Sequence, residues 1–246
     1  MITLPKEKIK AKGDGMKFVI LYGRPKQGKT SALASLPNNL IIDLEGGTEF
    51  IDALAVQART VSELGEIANA IREEIKTTGK KPYKYITIDN SSRLEEICLS
   101  LAKQLYVQTP MGKTYKGDDV RTLPNGSGYY YIRQAVRKVI DMFRSLCDTC
   151  ILIGHVKDKL IQRDGEELSE MAIDLVGKLG DILCGEADAI GLIYRKKNET
   201  IASFEGGDNT IKEARPAHLR GKKIVIAESD DNGNITFHMD RIFLPE

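Results

Sequence analysis

The stretch Lys17-Phe-Val-Ile-Leu-Tyr-Gly23-Arg-Pro-Lys-Gln-Gly28-Lys29-Thr30 decides the fold. The apolar run Phe18 to Tyr22 stops at a glycine, which predicts a buried strand. Residues 29–36 are good helix formers until Pro37 ends them. Between strand and helix lies the spacing G-x-x-x-x-G-K-[ST]. Its glycines let backbone N–H groups turn inward as a nest for phosphate oxygens, and the helix N-terminus adds its dipole there. Gly23, Arg24, Pro25, Lys26, Gln27, Gly28, Lys29, Thr30 and Ser31 are thus the expected nucleotide-phosphate residues. Lys29 supplies a point charge for the β- and γ-phosphates, and the Thr30 hydroxyl is a Mg²⁺ ligand. Lys26 reads either as a phosphate contact or as a solvated loop lysine.

Outward from this loop, strands and helices alternate. Leu40 to Leu44 reads as a second strand, and a helix runs from an N-cap at Ser62 towards Gly79. Tyr85 to Asp89 is a third strand. Arg93 to Val107 is a helix with Leu94, Ile97, Cys98 and Leu101 on one stripe. Residues 109–128 hold several glycines, two prolines and few apolar groups, so they read as a long loop. Tyr131 to Leu146 is helical by the spacing of Ile132, Val136, Val139, Ile140 and Phe143. Cys150 to Gly154 is a fourth strand, and a polar stretch, 157–181, separates it from Ala189 to Tyr194. Segments 200–204, 223–227 and 235–239 alternate like strands joined by turns such as Asp231-Asn-Gly233. The pattern predicts one α/β domain over 17–246: a mainly parallel sheet sandwiched by helices, with antiparallel C-terminal strands from about 191. Residues 1–16, with Lys6, Lys8, Lys10 and Lys12, read as a basic, flexible arm.

Composition narrows the function. In 246 residues, 36 Lys and Arg stand against 35 Asp and Glu, so any nucleic-acid surface has to be local. At 41% hydrophobic and 29% charged the chain suits a packed globular fold, and its longest apolar runs are too short for a bilayer. The first residues lack an apolar signal core, which leads to an expectation of a cytoplasmic protein without membrane contact. Four cysteines (Cys98, Cys147, Cys150, Cys184) include one C-x-x-C pair but no second pair or histidine cluster at a zinc spacing. They read as buried thiols.

Strand ends supply the remaining candidates. Asp89 suits a carboxylate that holds a water of the Mg²⁺ shell, or it caps the helix near Ser91. Asn90 follows directly, so if the chain hydrolyses a nucleotide a water-activating group has to come from elsewhere. Glu45, at the tip of Ile41-Ile-Asp43-Leu-Glu45-Gly-Gly47, is that candidate, ahead of Asp43. His155 ends the fourth strand, where an imidazole can hydrogen-bond a γ-phosphate and report its loss. His218 and His238 read as surface residues.

Together these residues resemble the RecA-like branch of P-loop ATPases, and within it phage-encoded ATP-binding proteins of the Sak-four type, linked to single-strand annealing and recombination. The matching pieces are Gly23 to Thr30, Ile42 to Glu45, Ile88 to Ser91, Gly126 to Tyr131, Ile153 to His155, Gly177 to Leu183 and Ala187 to Ile190. The resemblance implies a RecA-like core with ATP and Mg²⁺ as cofactors, Glu45 activating water, Asp89 serving Mg²⁺ and His155 sensing the γ-phosphate. It further implies a homo-oligomer with ATP near a subunit boundary and a neighbour's basic residue in reach, for which Arg215 and Arg220 compete with a plain solvated strand edge.

Single-stranded DNA, and with it a single-strand-binding protein, are the macromolecular partners this likeness implies. Loop 109–128 offers Lys113, Tyr115, Lys116 and Arg121, a mixture able to stack a base and bind phosphate. Region 157–181 argues the other way: four cations against seven carboxylates leave it at −3. The alternatives are a nucleotide-dependent assembly protein with little turnover, and a P-loop small-molecule kinase, which would need a more arginine-rich lid. A GTPase would need an N/T-K-x-D motif, which is missing.

Overall fold

The structure is a computed structural model that describes residues 6–7, 15–163, 166–207 and 210–244, without the side chains of 161–168. Lys8, Lys10 and Lys12 of the expected basic arm lie outside the described residues.

The chain begins with strand β1 (Phe18–Tyr22), helix α1 (Lys29–Ala34), β2 (Asn39–Asp43), the short β3 (Ala55–Gln57) and α2 (Val61–Thr78). Next come β4 (Tyr85–Asp89), α3 (Ser91–Val107), α4 (Gly128–Arg144) and β5 (Thr149–Gly154). A hairpin of β6 (Val156–Arg163) and β7 (Glu166–Ile173) follows, then α5 (Leu179–Glu186). The chain continues with β8 (Ala189–Lys196), β9 (Glu199–Ser203), β10 (Glu213–Ala214), β11 (Lys223–Ser229) and β12 (Ile235–Phe237).

The main sheet runs β12-β11-β9-β8-β1-β5-β4-β2-β3, with β10 also against β8. From β8 to β3 the strands are parallel; β9, β11 and β12 extend the sheet antiparallel. The fold is therefore the expected α/β arrangement with antiparallel strands beyond a parallel core. β1, with all five residues buried, lies between β5 and β8. Phe18, Ile20 and Tyr22 face one core, filled by α2, α3, α4 and α5, while Val19 and Leu21 face a second, filled by α1 and the C-terminal residues Met239, Ile242 and Phe243. Burial on both faces is why these strands read as continuous apolar runs.

Several boundaries differ from the sequence reading. The cap of α2 is Thr60, not Ser62: its Oγ1 accepts from Glu63 N (3.2 Å) while the Glu63 carboxylate accepts from Thr60 N (3.0 Å), a capping box. Helix α4 starts at Gly128 rather than Tyr131. The segment before it is no open loop; it forms two 3₁₀ turns, 120–122 and 124–126, that bury Val120 and Leu123. The polar stretch 157–181 contains all but the first residue of the β6–β7 hairpin, the whole connection from it to α5 and the first three residues of α5. The four cysteines are free and buried, as read from the sequence. His218 and His238 are half-buried rather than fully surface groups; His238 lies 3.7 Å from Glu228.

Candidate functional site

The strands β1, β2, β4, β5 and β8 run parallel, so their C-terminal ends share one edge, and the loop between β1 and α1 lies there. Gly23 N donates to Gly154 O (3.1 Å). A Cβ on Gly23 would sit 2.2 Å from the Ile193 carbonyl oxygen, which restricts the position to glycine. Gly28, at φ +82°, turns the chain into α1 as its N-cap. Lys26 also has positive φ (60°) and is exposed.

A cleft of about 570 Å³ opens over this loop. Of the expected phosphate residues, Pro25, Lys26, Gly28, Lys29, Thr30 and Ser31 line it. Gly23, Arg24 and Gln27 do not: the Gly23 and Arg24 carbonyls accept from Lys29 Nζ (2.9 and 2.8 Å), and Gln27 Oε1 accepts from Arg195 N (2.7 Å). Lys29 is buried, which pushes its ammonium below the usual lysine range, against the upward pull of Asp89 and Glu45.

Asp43, Glu45, Asp89 and His155 line the same cleft, so the structure brings the three strand-tip candidates together. Thr30 Oγ1 donates to Asp89 Oδ2 at 2.6 Å. Burial raises the Asp89 carboxyl above the usual range, helped by Glu45 and Asp43 and opposed by Thr30 and Lys29. The cap of the helix that follows is not Asp89 but Asn90, whose side chain accepts from Arg93 N (3.1 Å). Glu45 is half-exposed, with Oε2 4.0 Å from His155 Nε2.

Two residues have tasks that their sequence positions only hinted at. Asp43 is buried, and its carboxylate accepts from the N–H groups of Glu45, Gly46, Gly47 and Thr48 and from Thr48 Oγ1 (2.6–3.2 Å). Burial works to raise the Asp43 carboxyl, yet these donors, Thr48 foremost, hold it below the usual carboxylate range. Asp43 therefore shapes the turn that aims Glu45. Asn90, wholly buried, links Asp89 to His155 by an Nδ2···Nε2 contact of 2.8 Å. The signal for it was its place directly after a strand-ending aspartate. Phe50, 94% exposed, and Ile51 form an apolar flank of the cleft that periodicity could not reveal.

Arg215 and Arg220 lie away from this cleft. Arg215 pairs with Asp188 (3.0 Å), whose other oxygen accepts from Lys17 N and Phe18 N at the start of β1. Arg220 donates to the carbonyls of Ala214 and Arg215. Both sit at the sheet edge opposite the phosphate loop. Tyr115, read as a stacking residue, donates to Asp119 O (2.7 Å) and packs edge-on against Tyr106 (5.3 Å), while Arg121 is held by Asp119.

The hydroxyl and carboxylate of Thr30 and Asp89 are hard oxygen donors of the kind Mg²⁺ accepts. Among the described residues no group of three or more His, Cys, Asp and Glu side chains could hold a metal. Among the described residues, too, no helix is long and apolar enough to cross a membrane.

No curated protein matches the chain. The RadB recombinase structure aligns with a TM-score of 0.47 at 13% identity, covering 91% of both chains. The KaiC-like protein PH0186 of Pyrococcus horikoshii OT3 aligns at 0.43 and 15% identity, covering 92% of this chain and 90% of that one. A family profile described as an AAA domain, AAA_24, matches residues 16–226, and the chain therefore belongs to that family of nucleotide-binding ATPases.

Proposed function

We propose that the chain is a Mg²⁺-dependent ATP hydrolase with a RecA-like core. The observation that carries this reading is the meeting of Glu45, Asp89 and His155 around the loop that presents Lys29. Backbone N–H groups and Lys29 bind the phosphates. Thr30 and Asp89 would hold Mg²⁺, which would supply charge neutralisation on the β- and γ-phosphates. Glu45, half-exposed and aimed by the Asp43 turn, orients the attacking water and takes its proton. His155 hydrogen-bonds the γ-phosphate, and Asn90 passes its loss to the start of α3. Phe50 and Ile51 give the base an apolar surface.

By the resemblance, the setting is phage DNA recombination, single-strand annealing or replication, in a host's cytoplasm, with single-stranded DNA and a single-strand-binding protein as partners and a homo-oligomer carrying ATP near its subunit boundaries. A second reading, an assembly protein with little turnover, is supported by Asn90 in the position where a glutamate would assist hydrolysis. Turnover measured on the wild type, Lys29→Ala and Glu45→Gln, with and without single-stranded DNA, separates the two. Glu45→Gln is expected to bind ATP but to hydrolyse it about 10²–10⁴-fold more slowly. Lys29→Ala is expected to lose roughly one to two orders of magnitude in affinity. Wild-type turnover by Glu45→Gln would remove the assigned base, and no turnover by any form would leave the assembly reading.

A further inference from the structure

Within the cleft, three carboxylates, Asp43, Glu45 and Asp89, face the single buried ammonium of Lys29. Such a floor is a poor attractor for an incoming polyanion. Beside the cleft the charge is of the other sign. Arg24 and Lys26 are exposed on the phosphate loop, and Arg195, Lys196 and Lys197 are exposed at the turn joining β8 to β9. The two groups are contiguous. Arg195 N donates to Gln27 Oε1 at 2.7 Å, and its guanidinium Nη2 lies 3.8 Å from where a Cβ of Gly28 would stand. The nearest carboxylate along the hairpin is Glu199, directly across from Lys196 in the β8–β9 register. Among the described residues none of the five cations forms an ion pair.

A chain with a formal charge of only +1 therefore concentrates five free cations beside one loop. Arg195 is separated from the phosphate cradle by little more than the loop's own backbone, well inside a Debye length of about 8 Å. Charges at that range need not touch a ligand to act on it. They raise the local concentration of polyanions and the rate of encounter.

We propose that Arg24, Lys26, Arg195, Lys196 and Lys197 form an electrostatic collar that captures nucleoside polyphosphates and sets their association rate, without taking part in the chemistry. The inference rests on the nucleotide reading of the cleft and names how that ligand arrives. The β8–β9 turn is the collar's adjustable half: only the backbone of Arg195 is needed to brace Gln27, so the turn's side chains are available to the field.

The test is stopped-flow association of a fluorescent ribose-labelled ATP analogue, with kon and koff measured across ionic strength. The collar pair is Lys196→Gln with Lys197→Asn, asparagine being suited to the positive φ of 54° at 197. Arg195→Gln is a second, independent variant. The control removes two equal charges, Lys17→Gln with Lys80→Gln, near the starts of β1 and β4 at the opposite sheet edge. The collar pair is expected to lower kon about three- to ten-fold at low salt with koff unmoved, the difference vanishing near about 0.5 M salt. The control pair is expected to leave kon as it is. Equal kon for the collar and control pairs overturns the inference, as does an effect confined to koff, or a loss of single-stranded DNA binding with nucleotide kon intact. Failure of the wild type to bind any nucleotide overturns the nucleotide reading as well, so the two failures are distinguishable.

Discussion

Asp89 and Lys29 are both buried against their preference, and their pH behaviour follows from that. The Asp89 carboxyl is raised in the fold, so its contribution to stability is present at acid pH and is lost as pH rises through the raised value. Ionising it costs the free protein part of its stability. Asp89→Asn is expected to stabilise the nucleotide-free chain by roughly 1–2 kcal/mol, read as a higher denaturation midpoint, while abolishing Mg²⁺-dependent ATP turnover. Lys29 is lowered, so nucleotide affinity should decline on the alkaline side at a lower pH than an ordinary lysine would dictate. A titration of ATP affinity against pH checks this. Asp43 has the opposite sign to Asp89. Held low by its turn, it stabilises above the unfolded aspartate range, and that stability disappears as pH falls through its folded value. Asp43→Ala would leave the N–H groups of 45–48 without their acceptor and is expected to cost about 2–4 kcal/mol, with Glu45 misaimed and turnover reduced.

At the scale of elements, the sequence was legible wherever one pattern dominated. Doubly buried strands such as β1 and β5 read as apolar runs, and the stripe Ile132, Val136, Val139, Ile140 and Phe143 is the buried face of α4. It was illegible where tertiary contacts overrode composition. The β6–β7 hairpin pairs Lys157 with Ala172 and Lys159 with Glu170 and stands off the main sheet; among its described side chains only Ala172 and Ile173, at its base, are buried, too few to impose an apolar alternation. The start of α4 hides behind glycines that suggest a loop. Gly128 is there because it is pressed against the Val120 carbonyl: an added Cβ would fall 1.7 Å from that oxygen, a contact with backbone that cannot rotate away. Gly128→Ala, which by helix propensity alone should stabilise, is instead expected to destabilise by about 2–4 kcal/mol, measurable by urea denaturation. A stabilised Gly128→Ala protein would mean that the 3₁₀ turn ahead of α4 yields easily.

At the scale of the whole molecule, the parallel sheet separates two kinds of work by its two edges. The C-terminal strand ends hold Lys29, Glu45, Asp89 and His155, and this convergence was readable because each follows an apolar run that topology sends to the same side. What could not be read was which basic residues accompany them, since a surface arginine's sequence context does not reveal its edge. Arg215 closes the opposite edge, tying the chain after β10 to Asp188 and through it to the first residues of β1. That placement sets two roles against each other with very different magnitudes. A finger reaching a neighbour's nucleotide would be worth about 10³–10⁵ in turnover. A partly exposed pair, whose aspartate keeps its two backbone donors when the arginine is removed, is worth about 1 kcal/mol or less. Arg215→Ala is accordingly expected to lower the denaturation midpoint slightly and to leave turnover per chain within about two-fold. Assayed at a concentration where sizing with a non-hydrolysable ATP analogue shows the same assembly as the wild type, a thousand-fold loss would reassign Arg215 to the neighbour's site. It would also require the subunits to meet with the β1-start edge of one against the phosphate-loop edge of the next.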